Sequence, residues 1–169
     1  MKKTKLLKSY DISKRNCIIS YAFLHKINFT NTNFGYFLFP ELIENINKST
    51  NIDSLDIENN LLSMDFSRKN PFKNSKTEEN TAYLLSFYNN SQRTIGEKIK
   101  HLGMLVIDDI VSDILESNFT TIQICSIHET RGKKLRNYYT KLFSNWDKVN
   151  YFEKKIGKRK ILNGIVKLL

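Results

Sequence analysis

Cysteine is scarce in this chain: two in 169 residues, Cys17 and Cys125, each inside an apolar run (Cys-Ile-Ile and Ile-Cys-Ser-Ile). So few thiols, so placed, exclude a disulfide framework and a Cys-based zinc site. They read as small buried hydrophobes of a protein kept in a reducing, cytoplasmic compartment. Histidine is equally thin, and His25 and His128 stand apart with no partners at metal-ligand spacing, so no metal site is expected. No apolar run is long enough to span a bilayer, which predicts a soluble protein with no membrane partner. The opening Met-Lys-Lys-Thr-Lys-Leu-Leu-Lys has the charge of a signal peptide, but Asp11, Lys14, Arg15 and Asn16 break the apolar stretch that should follow. It reads as a basic strand or arm. The chain has no internal repeat, no low-complexity tract and no nucleophile elbow for Ser-His-Asp or Cys-His catalysis. Asp108 and Asp109 are adjacent on a helix, point apart and cannot work as a catalytic pair.

What the chain does have is positive charge: a net +10 at pH 7 and a pI near 9.5. Such a field draws nucleic acid, acidic surfaces or an anionic cofactor. Apolar residues at 40% and aromatics at 12% suffice for a packed interior, and the length predicts one domain over 1–169. In the first half, Cys17 to Phe23, Tyr36 to Phe39 and Leu61 to Phe66 read as strands, with turn-rich Asn28 to Gly35 between the first two. Pro40 is placed to open a helix through Glu41, Leu42, Ile43 and Ile46. Arg68 to Asn80 reads as a loop, Tyr83 to Tyr88 as a central strand and Asn89 to Gly96 as a break. Beyond it, Gly103 to Asn118 carries Leu105, Ile107, Ile110, Val111, Ile114 and Leu115 on one face of a helix that Asn118 can stop. Thr120 to Ile127 is β-branched and reads as a strand, so a parallel pairing would make this a crossover unit. Glu129 to Phe143 is a basic amphipathic helix, and Lys148–Phe152 with Ile161–Leu168 forms a hairpin tipped by Lys154 to Lys160.

The helix starting near Gly103 is preceded by Lys98, Lys100 and His101. A helix N-terminus offers unpaired N–H groups and a positive dipole end, and a glycine admits close approach, so Lys98, Lys100, His101, Leu102, Gly103 and Met104 form a candidate phosphate site. From Tyr83 onward the order strand, phosphate-type loop, helix, strand, helix, hairpin resembles the GNAT superfamily of acyl-CoA-dependent N-acyltransferases. That family's signature is Arg or Gln, two residues, Gly, one residue, then Gly or Ala. Lys98 to Gly103 is similar to it with His101 in the first glycine's place; Arg93 to Lys98, with Gly96, gives a second register. Tyr139-Thr140-Lys141-Leu142-Phe143 is similar to the family's next helix ending.

The resemblance implies an α/β fold with a mixed sheet in which two neighbouring parallel strands, here Tyr83–Tyr88 and Thr120–Ile127, splay apart. Residues 81–169 would form the cofactor side and 1–80 the variable acceptor side. It implies acetyl-CoA or another acyl-CoA as substrate and direct attack of an amine on the thioester. Tyr139, and second Tyr138, would be the general acid, with a general base from Glu79, Glu78 or Tyr83. The rival reading is a basic nucleic-acid-binding module, or a non-catalytic GNAT-like scaffold. In it the cations of Arg131 to Arg136 and Lys154 to Lys160 would meet phosphates or another acidic partner, and Tyr138, Tyr139 or Trp146 would stack on bases. No nucleic-acid module signature accompanies them.

Overall fold

The computed structural model describes residues 3–43, 57–127 and 132–169. Eight strands form one mixed sheet: β1 (Lys3–Asp11), β2 (Tyr21–Asn28), β3 (Asn33–Phe39), β4 (Leu62–Ser67), β5 (Thr81–Asn89), β6 (Thr121–Ile127), β7 (Asn150–Ile156) and β8 (Arg159–Lys167). Their order across the sheet is β1-β2-β3-β4-β5-β6-β8-β7. Helices α1 (Ser91–Ile95), α2 (Leu102–Glu116) and α3 (Gly132–Leu142) lie in the connections. The chain clusters into two compact units that interleave along the sequence. One comprises 1–65 and 86–109, the other 66–85 and 110–169.

In the first unit β1, β2 and β3 are antiparallel neighbours, with a bulge in β1 between Leu6 and Lys8. Register places Ile27 opposite Gly35 and His25 opposite Phe37, so Ile27, Phe37 and Phe39 share one face and form a buried cluster. Phe29, Ile43 and Ile57 pack against that cluster. Tyr10 donates to Asp109 at 2.5 Å, and Lys8 lies 3.6 Å from the same carboxylate, which ties β1 to the first half of α2. In the second unit β5 and β6 are parallel, joined through α2 as a crossover must be. β6, β8 and β7 continue antiparallel. The β7–β8 hairpin turns at Gly157, whose φ of 62° supplies the left-handed residue that a tight turn requires.

Several expectations need correction. Residues 17–20 are not strand: Cys17 Sγ donates to the carbonyls of Ile12 and Ile19, and β2 starts only at Tyr21. Cys17 is half-buried and Ile18 is 75% exposed, so this apolar run is not core, whereas Cys125 is buried as expected and its thiol is pushed up to about 12 by that burial. Residues 40–43 are not helical, and the rest of that proposed helix lies outside the described residues. The stretch 89–96 contains the short helix α1, closed by Gly96 at φ 78°. Strands β4, β5 and β6, helices α2 and α3 and the terminal hairpin lie where the patterning puts them, and Asn118 stands past the end of α2 at φ 70°. His128 and Arg131 lie outside the described residues.

Candidate functional site

The segment from the end of β5 to the start of α2 belongs wholly to the first unit, and side chains fix its path. Asn89 Oδ1 accepts from the amide and hydroxyl of Ser91 at 3.1 and 2.6 Å. Ser91 Oγ in turn accepts from the Ile99 amide at 2.8 Å, and Asn89 Nδ2 donates to the Ile99 carbonyl at 2.8 Å. Ser91 and Ile99 are buried, so this network is a rigid staple across the loop. Two contacts reach in from the 13–20 segment. The Arg15 guanidinium donates to the Lys100 carbonyl at 3.3 Å, and the Ile18 amide donates to Glu97 Oε1 at 2.6 Å. The sequence shows no sign of these roles for Asn89, Ser91, Ile99 or Arg15, since each has a partner 8 to 85 residues away.

His101 precedes α2. It is exposed, its φ is 64°, and its carbonyl accepts from the Leu105 amide at 3.2 Å. A left-handed backbone at this position is one that a glycine adopts most readily. Helix geometry leaves the amides of Leu102, Gly103 and Met104 without intrahelical acceptors. Lys98 and Lys100 are exposed beside them, Leu102 and Gly103 are buried and Met104 is half-buried. The second register sits differently. Gly96 closes α1, a helix end of negative dipole, and Arg93 is held by Glu58 through its side chain at 3.3 Å and its carbonyl at 2.8 Å. Glu58, Asn59, Arg93 and Thr94 line a shallow pocket of about 270 Å³ there.

β5 and β6 pair from Thr81↔Thr121 only as far as Leu84↔Ile124, while β5 itself runs on to Asn89 and β6 to Ile127. At the same level the β6–β8 register shifts between Ile124 and Ile127. The two neighbouring parallel strands thus share a ladder of four pairs. Ser86 to Tyr88 follow on β5 past the last of those pairs.

The remaining candidates belong to the second unit. Tyr139 is buried and Tyr138 half-buried on α3, their rings edge to face at 6.0 Å, and burial pushes the Tyr138 hydroxyl up to about 12. Glu78 and Glu79 are exposed in the loop before β5. Tyr83 is fully buried, and its hydroxyl accepts from the Glu78 amide at 2.8 Å. Lys133, Lys134 and Arg136 are exposed on α3, with the Arg136 guanidinium 4.7 Å from the centre of the Tyr151 ring. At the hairpin tip Lys155, Lys158, Arg159 and Lys160 are exposed, whereas Lys154 bonds Ser75 and lies 4.6 Å over the Phe72 ring. Trp146 packs on Phe143.

No protein-family model matches the chain, and no curated protein matches it in sequence. Among solved structures it is similar to a chain described as a candidate phosphinothricin N-acetyltransferase, with 12% identity and a TM-score of 0.38, over 82% of this chain and 68% of that one. In its own topology the fold is a mixed α/β one: a sheet whose parallel pair is connected through a helix, shares a short ladder and is followed by an antiparallel hairpin. Among the described residues no helix is long and apolar enough to cross a membrane, and no three or more His, Cys, Asp or Glu side chains cluster to hold a metal.

Proposed function

We propose that this chain is an acyl-CoA-dependent N-acyltransferase, with acetyl-CoA as its simplest donor and a primary amine as acceptor. The observation that carries the reading is the stapled turn between β5 and α2, which presents the Leu102, Gly103 and Met104 amides at the head of a 15-residue helix beside Lys98, Lys100 and His101. Those amides and the helix dipole suit a diphosphate. The backbone of β5 beyond Leu84 offers groups to the amides of a pantetheine arm, as the resemblance implies. Tyr139, with Tyr138 second, is assigned the proton for the departing thiolate; the raised Tyr138 hydroxyl stays protonated at neutral pH, as an acid must. The chemistry itself needs mainly alignment, since the thioester is already activated.

Thermal unfolding with CoA tests this. Free CoA at one hundred times its dissociation constant should stabilise the fold by about 2.7 kcal/mol. No shift at millimolar CoA would refute it. The nucleic-acid reading draws on the exposed Lys155, Lys158, Arg159 and Lys160; steeply salt-dependent RNA affinity without a CoA shift would favour it instead.

A further inference from the structure

Besides Glu78 and Glu79 in the loop before β5, a further carboxylate occupies the sheet itself. Of the carboxylates on strands, Asp11 and Glu153 are exposed; Asp65, on β4, is half-buried. Its Oδ2 accepts from the Ser86 hydroxyl at 3.0 Å. Ser86 lies on β5 two residues past Leu84, the last residue that pairs with β6. From the other side β3 makes room: a Cβ on Gly35 would stand 3.1 Å from Asp65 Oδ1, 3.0 Å from the Met64 carbonyl and 2.8 Å from the Phe37 ring. A residue without a side chain is what lets the carboxylate and the ring share that space. Oδ2 is thus anchored by Ser86, which leaves Oδ1 as the carboxylate's other oxygen.

Resting on the acyltransferase reading, we propose that Asp65, oriented by Ser86, is the group that takes the proton from the acceptor's ammonium. In this step R–NH3+ gives one proton to Asp65 Oδ1, and the freed nitrogen lone pair attacks the thioester carbonyl carbon. The C–S bond then breaks, the departing thiolate takes up the second nitrogen proton, and Asp65 returns its proton to water. The products are the amide, CoA thiol and one proton. Burial raises the Asp65 carboxyl above its ordinary value, against the opposing pull of the Ser86 hydrogen bond, which makes it a better base than a solvated aspartate.

Two small nucleophiles separate this role from a structural one. Ethylamine is protonated at neutral pH and must be deprotonated before it attacks; hydroxylamine is not. With the full chain and acetyl-CoA, Asp65→Asn should lower transfer to ethylamine by about 100-fold or more, the usual weight of a general base. Transfer to hydroxylamine and CoA affinity should stay close to wild type. Equal losses with both nucleophiles, or none, would overturn the assignment, as would a wild-type chain that binds acetyl-CoA and acetylates neither. A chain that binds no CoA at all would instead remove the acyltransferase reading and this role with it. Should Asp65→Asn not fold, Ser86→Ala keeps the carboxylate but frees it, and the same selective loss with ethylamine is expected, on the order of tenfold. An unselective loss in Ser86→Ala would count against the role.

Discussion

Lowering the pH from 7 to 4 should weaken this protein through His25. That side chain is fully buried on β2, its ring edge to face with Phe39 at 5.5 Å, and neither ring nitrogen has a hydrogen-bond partner among the described residues. Burial penalises the imidazolium and lowers its pKa from 6.5 to about 4. The unfolded chain therefore binds a proton below pH 6.5 that the folded chain refuses until about pH 4. Above 6.5 His25 is neutral in both states and contributes no pH dependence. As the pH falls through that window the unfolded state gains, at about 1.36 kcal/mol per pH unit, to a total of about 3 kcal/mol. Against a typical stability of about 5–15 kcal/mol this is a large share. Urea titrations of wild type and His25→Leu at pH 7.5, 6.5, 5.5 and 4.5 measure it. Carboxylates titrate in both proteins and cancel in the difference. The wild-type midpoint should fall faster than the variant's between pH 6.5 and 4.5, with unchanged m-values. Parallel curves, or a His25 ring resonance titrating near 6.5 in the folded protein, would refute the reasoning.

Gly35→Ala forces a methyl to within 2.8 Å of the Phe37 ring and 3.0 Å of the Met64 carbonyl, and a backbone oxygen in a sheet has little room to give. It should cost about 1–3 kcal/mol by chemical denaturation; a neutral result would mean the crowding is relieved. Reversing charge at Lys98 and Lys100 together should weaken CoA binding by roughly tenfold in titration calorimetry, the effect of two cations lost beside a phosphate site, and unchanged affinity would count against their role. Tyr139→Phe should lower kcat for acetyl transfer more than it changes CoA affinity; equal turnover would move the acid elsewhere.

Periodicity made much of this fold legible. α2 shows its apolar stripe over four turns, and β6 is a run of β-branched residues. The closing hairpin carries a glycine where the chain must turn left-handed. What stayed hidden depends on distant partners. α1 is five residues, too short to display a period, and its flanks are set by the Asn89–Ser91–Ile99 staple. The 17–20 run has strand composition, yet Cys17 Sγ and the Ile18 amide are engaged by loop carbonyls and Glu97. Asp65 is, by sequence, like any polar position on an alternating strand, because its partner Ser86 is 21 residues on and the space beside it depends on Gly35 one strand earlier. The turn before α2 was visible as a pattern of Lys, His and Gly; that His101 carries the left-handed backbone was not.

The most direct test of the account follows the backbone amides of Leu102, Gly103 and Met104 by 15N–1H NMR while CoA is added. If those amides hold the diphosphate, their resonances should move together, further than those elsewhere in α2, and their exchange with solvent should slow. Shifts confined to the basic hairpin, or CoA binding that leaves residues 102–104 untouched, would contradict it.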